Sequence, residues 1–75
     1  MKLVRDESSV WETHVVEGYP FGLEKIDRGA WYPFQFYGKR RIYLSYKGMG
    51  KEKAAAILKV RLEDYKSKII VEVSA

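Results

Sequence analysis

Hydrophobic and polar residues alternate in several short stretches of the first 47 residues, and this alternation predicts β-strands. The clearest of these strands covers residues 10–16, where alternate side chains are expected on opposite faces. A short leading strand is predicted at residues 2–5, and residues 23–27 are expected to form either an edge strand or irregular structure. Two aromatic-rich runs, residues 31–37 and 41–47, predict a β-hairpin.

The burial of apolar side chains favours one of two registers for this hairpin. A two-residue turn at Gly38 and Lys39 divides the apolar side chains between both faces. A loop one residue longer makes one face wholly apolar or aromatic. Its cross-strand pairs are Phe36 with Ile42, Phe34 with Leu44, and Tyr32 with Tyr46. The longer loop is therefore predicted, with Arg41 and Tyr43 pointing outward. The side chains expected beneath the helix are Phe34, Phe36, Ile42 and Leu44.

Residues 51–66 carry apolar side chains at helical spacing and predict an amphipathic helix. Gly50 is an acceptable N-cap, and Glu52 lies in the first turn, where the helix dipole favours a negative charge. The buried face is expected to contain Ala54, Leu58, Leu62 and Tyr65. A β-branched run at residues 69–73 then predicts a final strand.

The predicted fold class is α+β, in a single small domain covering residues 1–75. One helix covers one face of a small, mostly antiparallel sheet, in the order β-(β)-β-β-α-β, and the other face stays open. An apolar edge strand at residues 69–73 would be a pairing hazard. Such a strand can pair inside the sheet, with its copy across a two-fold axis, or with the sheet of a partner. Because a core this small gains from dimerisation, the homodimer is favoured.

Composition excludes several classes of protein. The chain has no cysteine and one histidine, so neither disulfides nor a bound metal are expected, and no cofactor is implied. No apolar run approaches the ~20 residues of a membrane span, so a cytoplasmic, intracellular protein without membrane contact is expected. The chain has no Asn, and Lys and Glu are plentiful, which is typical of hyperthermophile proteins.

Charge is concentrated in one part of the chain. The formal net charge is +4, but residues 30–53 carry six basic residues against one acidic residue, or +5. Aromatic residues are interleaved with these cations, which favours nucleic-acid binding. Bases stack on aromatic rings, and Arg and Lys neutralise phosphates. The candidate nucleic-acid-binding residues are Trp31, Tyr37, Lys39, Arg40, Arg41, Tyr43, Lys47 and Lys51.

The stretch from Trp31 to Lys66 also resembles a known type of DNA-binding domain. The segments WYPFQFY, GKR, RIYLSY and EKAAA are similar to the last two strands and helix of the AP2 and integrase arm-binding type. That resemblance implies a sheet lying in the DNA major groove with an alanine-containing helix behind it. It also implies that Trp31, Arg41 and Tyr43 face DNA.

No residue pattern indicates an enzyme. His14 has no Ser or Cys partner at a motif-like spacing, and the glycines at 48–50 are too few for a nucleotide-binding motif. The favoured function is a non-enzymatic nucleic-acid-binding domain, with DNA preferred. The alternative is a small viral or mobile-element protein that binds a host factor or forms a homodimer through exposed aromatic side chains.

Overall fold

A computed structural model describes residues 1–26 and 29–74, and the side chains of residues 1–26 and 29–68. The strands form one antiparallel sheet in which each strand pairs with its neighbour in sequence, and a helix follows them. This confirms the predicted α+β class. The elements are β1 (Leu3–Arg5), β2 (Glu12–Val16), β3 (Phe21–Ile26), β4 (Ala30–Tyr37), β5 (Arg40–Tyr43) and α1 (Lys51–Ser74). Residue 27, the last residue of the segment 23–27 that was predicted as an edge strand or irregular structure, lies outside the described residues.

The helix begins at Lys51 as predicted, but the prediction of a final strand at residues 69–73 was wrong. Those residues belong to α1, which continues to Ser74. No Gly or Pro occurs between Lys51 and Ser74, so nothing interrupts the backbone hydrogen-bond ladder once it has formed. The β-branched residues lower helix propensity only slightly and do not end it. The predicted dimer strand is therefore absent from this segment, and the observed order is five strands followed by the helix.

The helix packs on one face of the sheet, called here the helix face, where it contacts β3 and β4. Its buried residues are spaced four apart, at Ala54, Leu58 and Leu62, as the sequence predicts. These three side chains form the core together with the buried sheet residues Val16, Phe21, Leu23 and Trp31. The small side chain of Ala54 is fully buried and lets the start of the helix lie close to the sheet. This close approach positions the loop that precedes the helix.

The hairpin between β4 and β5 has the two-residue turn and not the longer loop that burial predicts. Tyr37 pairs with Arg40, so the turn contains only Gly38 and Lys39. Gly38 has a φ of 63°, a left-handed conformation that a non-glycine residue rarely adopts at the first position of such a turn. The turn geometry therefore sets the register, and the predicted pairs of Phe36 with Ile42 and Phe34 with Leu44 were wrong.

This register divides the hairpin side chains between the two faces of the sheet. The face away from the helix, called here the open face, includes Phe34, Phe36, Arg41 and Tyr43, as the cross-strand pairs show. Ile42, which was predicted to lie beneath the helix, is 47% exposed. Of the predicted buried set, Leu44 is the residue that packs partly against the helix-face core.

Phe34 is fully buried although it lies on the open face. Its ring occupies the space above Gly22, where any Cβ would overlap it. The Arg41 guanidinium lies over the same ring, 4.4 Å from its centroid, and the Phe36 ring lies 5.0 Å away at its edge. The open face therefore has a small core of its own, built from a ring, a glycine and a stacked cation.

Because of the observed register, alanine substitutions of two apolar residues of the hairpin should lower the free energy of unfolding by different amounts. Phe34→Ala should lower the free energy of unfolding by about 3–5 kcal/mol, because a fully buried ring is lost. Ile42→Ala should cost less than about 1 kcal/mol, because that side chain is half exposed. Urea denaturation followed by circular dichroism measures both. Equal, large losses would instead favour the longer loop, in which both side chains lie beneath the helix.

Candidate functional site

Exposed aromatic and cationic side chains cluster along the second hairpin and the loop that follows it. We call residues 37–47 the hairpin surface. Its exposed apolar and aromatic side chains are Tyr37, Ile42, Tyr43 and Tyr46, and its exposed cations are Lys39, Arg40 and Lys47. No acidic residue occurs anywhere between Ala30 and Lys51. The hairpin surface therefore contains four basic residues and no acidic residue of its own.

The loop from Leu44 to Gly50 is held in place by backbone contacts at both ends. The Leu44 N–H donates to the Pro33 carbonyl at 2.8 Å, and Trp31 and Met49 exchange two backbone hydrogen bonds of 2.8 and 3.1 Å. Between these anchors, the Ser45 hydroxyl oxygen accepts a hydrogen bond from the Lys47 N–H at 3.2 Å. The loop therefore presents Tyr46 from an ordered backbone.

A cleft of about 400 Å³ lies where this loop passes the open face. It is lined by Tyr32, Tyr43, Leu44, Ser45 and Tyr46. The rings of Tyr32 and Tyr43 are 5.8 Å apart and meet at 70°, so they form two walls of the cleft. Tyr46 is 90% exposed and stands at its mouth, with the Lys47 ammonium 6.0 Å from the ring centroid. None of the lining residues is charged.

Next to the cleft, the carboxylate of Glu24 is buried in the open face. It accepts a hydrogen bond from the Tyr43 hydroxyl at 2.6 Å and one from the Thr13 hydroxyl at 3.2 Å. It also forms an ion pair with the Arg41 guanidinium, from Nη1 to Oε2. Because donors from β2 and β5 meet a carboxylate on β3, this cluster joins strands that are not neighbours in the sheet.

The contacts of Glu24 determine which charged side chains of the open face remain available to a ligand. Arg41 is stacked on Phe34 and paired with Glu24, so its charge is neutralised within the fold. Burial raises the pKa of the Tyr43 phenol, and its hydrogen bond to the Glu24 carboxylate raises it further. Tyr43 thus stays neutral and offers its ring, while its hydroxyl points toward Glu24.

The structure brings only some of the predicted site residues together. Trp31 lies on the helix face and is 7% exposed, so the expectation of an open ring was wrong. Its ring packs in the core near His14, and the Lys51 ammonium lies 5.0 Å from its centroid. The residues that remain exposed on the hairpin surface are Tyr37, Lys39, Arg40, Tyr43 and Lys47. The register places Tyr37 and Arg40 on the same face of the sheet as Trp31, and Tyr43 on the open face.

Sequence reasoning missed three residues of this region. Tyr32 and Tyr46 were expected to pair with each other on the apolar face of the hairpin, and both line the cleft instead. Glu24 was not singled out, although a carboxylate in the apolar run FGLEKI signals a buried charge that needs a partner. In the sheet, its cross-strand neighbours are Thr13 and Tyr32.

Comparison of the chain with known protein families, with curated proteins and with solved structures finds no match. Within the described residues, no group of three or more His, Cys, Asp or Glu side chains is placed to hold a metal ion. Across the same part of the chain, no helix is both long enough and apolar enough to span a membrane.

The raised pKa of Tyr43 can be observed in an alkaline titration. Six tyrosines are present, and one is expected to ionise above the ordinary value of 10.0. Because the folded-state pKa is raised, the neutral phenol stabilises the fold below pH 10, and that contribution is lost as the pH rises through the folded pKa. Tyrosinate absorbance measures this ionisation. Tyr43→Phe should remove the late-ionising group, and an unchanged late phase in this variant would contradict the assignment.

The Glu24–Arg41 pair should be strongly coupled. Arg41→Met keeps an apolar chain over Phe34 but leaves a buried carboxylate without its cation, and should destabilise the fold by about 3 kcal/mol. The double variant Glu24→Gln/Arg41→Met should lose less than Arg41→Met alone, because no unpaired charge remains. Urea denaturation of both single variants and the double variant measures the coupling. Losses that simply add would show that the two side chains act independently.

Proposed function

We propose that the protein is a non-enzymatic nucleic-acid-binding domain that uses the hairpin surface, with DNA as the preferred ligand. One observation carries the proposal: exposed tyrosine rings and free cations lie close together on a hairpin and loop that have no acidic residue. Aromatic rings stack on bases, and cations neutralise phosphates, so both parts of a nucleic acid find a complementary group. The preference for DNA over RNA rests on the resemblance of residues 31–66 to the AP2 and integrase arm-binding type. Of the three residues that this resemblance places against DNA, Tyr43 is exposed, whereas Trp31 is buried and Arg41 is paired with Glu24.

The residues that support this proposal most directly are those whose side chains are exposed. Lys39, Arg40 and Lys47 are exposed and supply the phosphate contacts. Tyr37, Tyr43 and Tyr46 supply the rings. Arg41 contributes indirectly, since its pairing with Glu24 keeps a carboxylate from opposing a bound phosphate. Lys51, above the buried Trp31, lies at the start of the helix and supplies a further cation near the loop.

The alternative function is a protein-interaction module, such as a small viral or mobile-element protein that binds a host factor. One feature favours it: β5 is an edge of the sheet, and its exposed side chains include Ile42 and Tyr43. An exposed edge with apolar side chains can add a strand from a partner. The absence of acidic residues along the hairpin surface favours a polyanion, which is why nucleic acid is preferred.

Salt dependence tests the proposed function. The affinity for a fluorescent DNA probe should fall log-linearly with salt, because phosphate contacts release counterions. The triple variant Lys39→Ala/Arg40→Ala/Lys47→Ala should bind more weakly and with a shallower salt slope. The control Arg5→Ala/Lys59→Ala/Arg61→Ala removes the same charge from exposed positions outside the hairpin surface, so it should bind nearly as the parent does.

Fluorescence anisotropy between about 20 and 200 mM salt measures these slopes. No binding to single- or double-stranded DNA at the lowest salt would overturn the proposed function. Equal losses in the two triple variants would mean that net charge, rather than the hairpin surface, drives binding.

A further inference from the structure

We infer that the protein binds single-stranded DNA, and that one unpaired base stacks against Tyr46 in the cleft lined by Tyr32, Tyr43 and Tyr46. This inference rests on the proposed function and specifies its ligand and its point of contact. It depends on the shape of the cleft, on the hydrogen bonds already made by its polar groups, and on the one strongly exposed ring.

Two of the four hydroxyl groups that line the cleft are hydrogen-bonded within the protein. The Tyr43 hydroxyl donates to Glu24, and the Ser45 hydroxyl is hydrogen-bonded to the Lys47 backbone. What the walls offer to a ligand is therefore mainly the faces and edges of aromatic rings, the Leu44 side chain and the phenol groups of Tyr32 and Tyr46. Such a surface binds a flat, aromatic group through stacking and does not read a particular hydrogen-bond pattern.

Tyr46 is the ring best placed for stacking. It is 90% exposed, yet its backbone is fixed by the Ser45–Lys47 turn and by the Met49–Trp31 hydrogen bonds. An aromatic ring held in solvent loses the free energy that its burial would give, and a bound base restores it. Lys47 follows directly in the chain, so a base stacked on Tyr46 has its phosphate close to a free ammonium group.

The same features disfavour duplex DNA. Bases in a duplex are already stacked and paired, and extruding one costs a few kcal/mol, whereas an unpaired base is available without that cost. Arg41, the side chain best suited to read guanine from the sheet, is held by Glu24 and Phe34. Base stacking in the cleft therefore requires a strand whose bases are free.

The decisive experiment compares three probes at one low salt concentration. They are a 12-nucleotide dT oligomer, a duplex of the same length, and an oligomer of abasic deoxyribose phosphates with the same charge. The dT oligomer should bind at least about tenfold more tightly than the abasic oligomer, because a stacked base contributes that much or more. It should also bind more tightly than the duplex.

Substitutions of exposed tyrosines then test which ring the base contacts. Tyr46→Ala should weaken dT binding by about tenfold or more and leave abasic binding unchanged, since only the base contacts the ring. Tyr46→Phe keeps the ring and should restore binding. Tyr37→Ala removes a ring that is 54% exposed and lies outside the cleft, and it should have a smaller effect. Circular dichroism verifies that each variant is folded, which is expected because these side chains are exposed.

Two results would overturn this inference while leaving the proposed function intact. One is equal or tighter binding to the duplex, and the other is salt-dependent dT binding that Tyr46→Ala does not change. Absence of binding to all three probes would overturn both the inference and the proposed function. Tighter binding to dT than to the duplex, together with a loss confined to Tyr46→Ala and rescued by Tyr46→Phe, is the expected result.

Discussion

The two-residue turn at Gly38 and Lys39 is the constraint on which the open face depends. Because Gly38 adopts a left-handed backbone there, Tyr37 is paired with Arg40, and every side chain of β5 is assigned to a face. Arg41 then lies over Phe34, within reach of Glu24, and Tyr43 faces the same carboxylate. A loop one residue longer would place Arg41 and Tyr43 on the other face of the sheet and leave Glu24 without these partners.

Local features of the sequence predicted most of the elements. Alternation located β1, β2 and β4, and helical spacing found Ala54, Leu58 and Leu62 on the buried side of α1. The hairpin register could not be predicted from burial alone. That criterion assumes that apolar side chains have only the helix to pack against, whereas Phe34 is buried by Gly22 and a stacked arginine. The end of the helix was misplaced because strand propensity in residues 69–73 is weaker than continuation of an unbroken helix.

The part of the candidate site whose residues are contiguous in the chain could be predicted from the sequence. The cations and rings of residues 37–47 are contiguous in the chain, so the sequence alone reveals their charge and aromatic content. The burial of Trp31 was not predictable in this way, because it depends on which face of β4 the helix covers. The cleft likewise requires the loop before the helix to bring Tyr46 beside Tyr32 and Tyr43, which no pattern within a single strand encodes.

The pairing of each strand with its sequence neighbour has a consequence for the order of folding. Adjacent strands meet after short loops close, so the first hairpins form on the microsecond scale without waiting for distant parts of the chain. Glu24 lies on β3, and its cation lies on β5, which is joined to β4 by the two-residue turn. Pairing of the β4–β5 hairpin with β3 therefore covers the carboxylate and brings its counter-charge to it. A chain that assembles in this order does not have to hold a buried, unpaired charge.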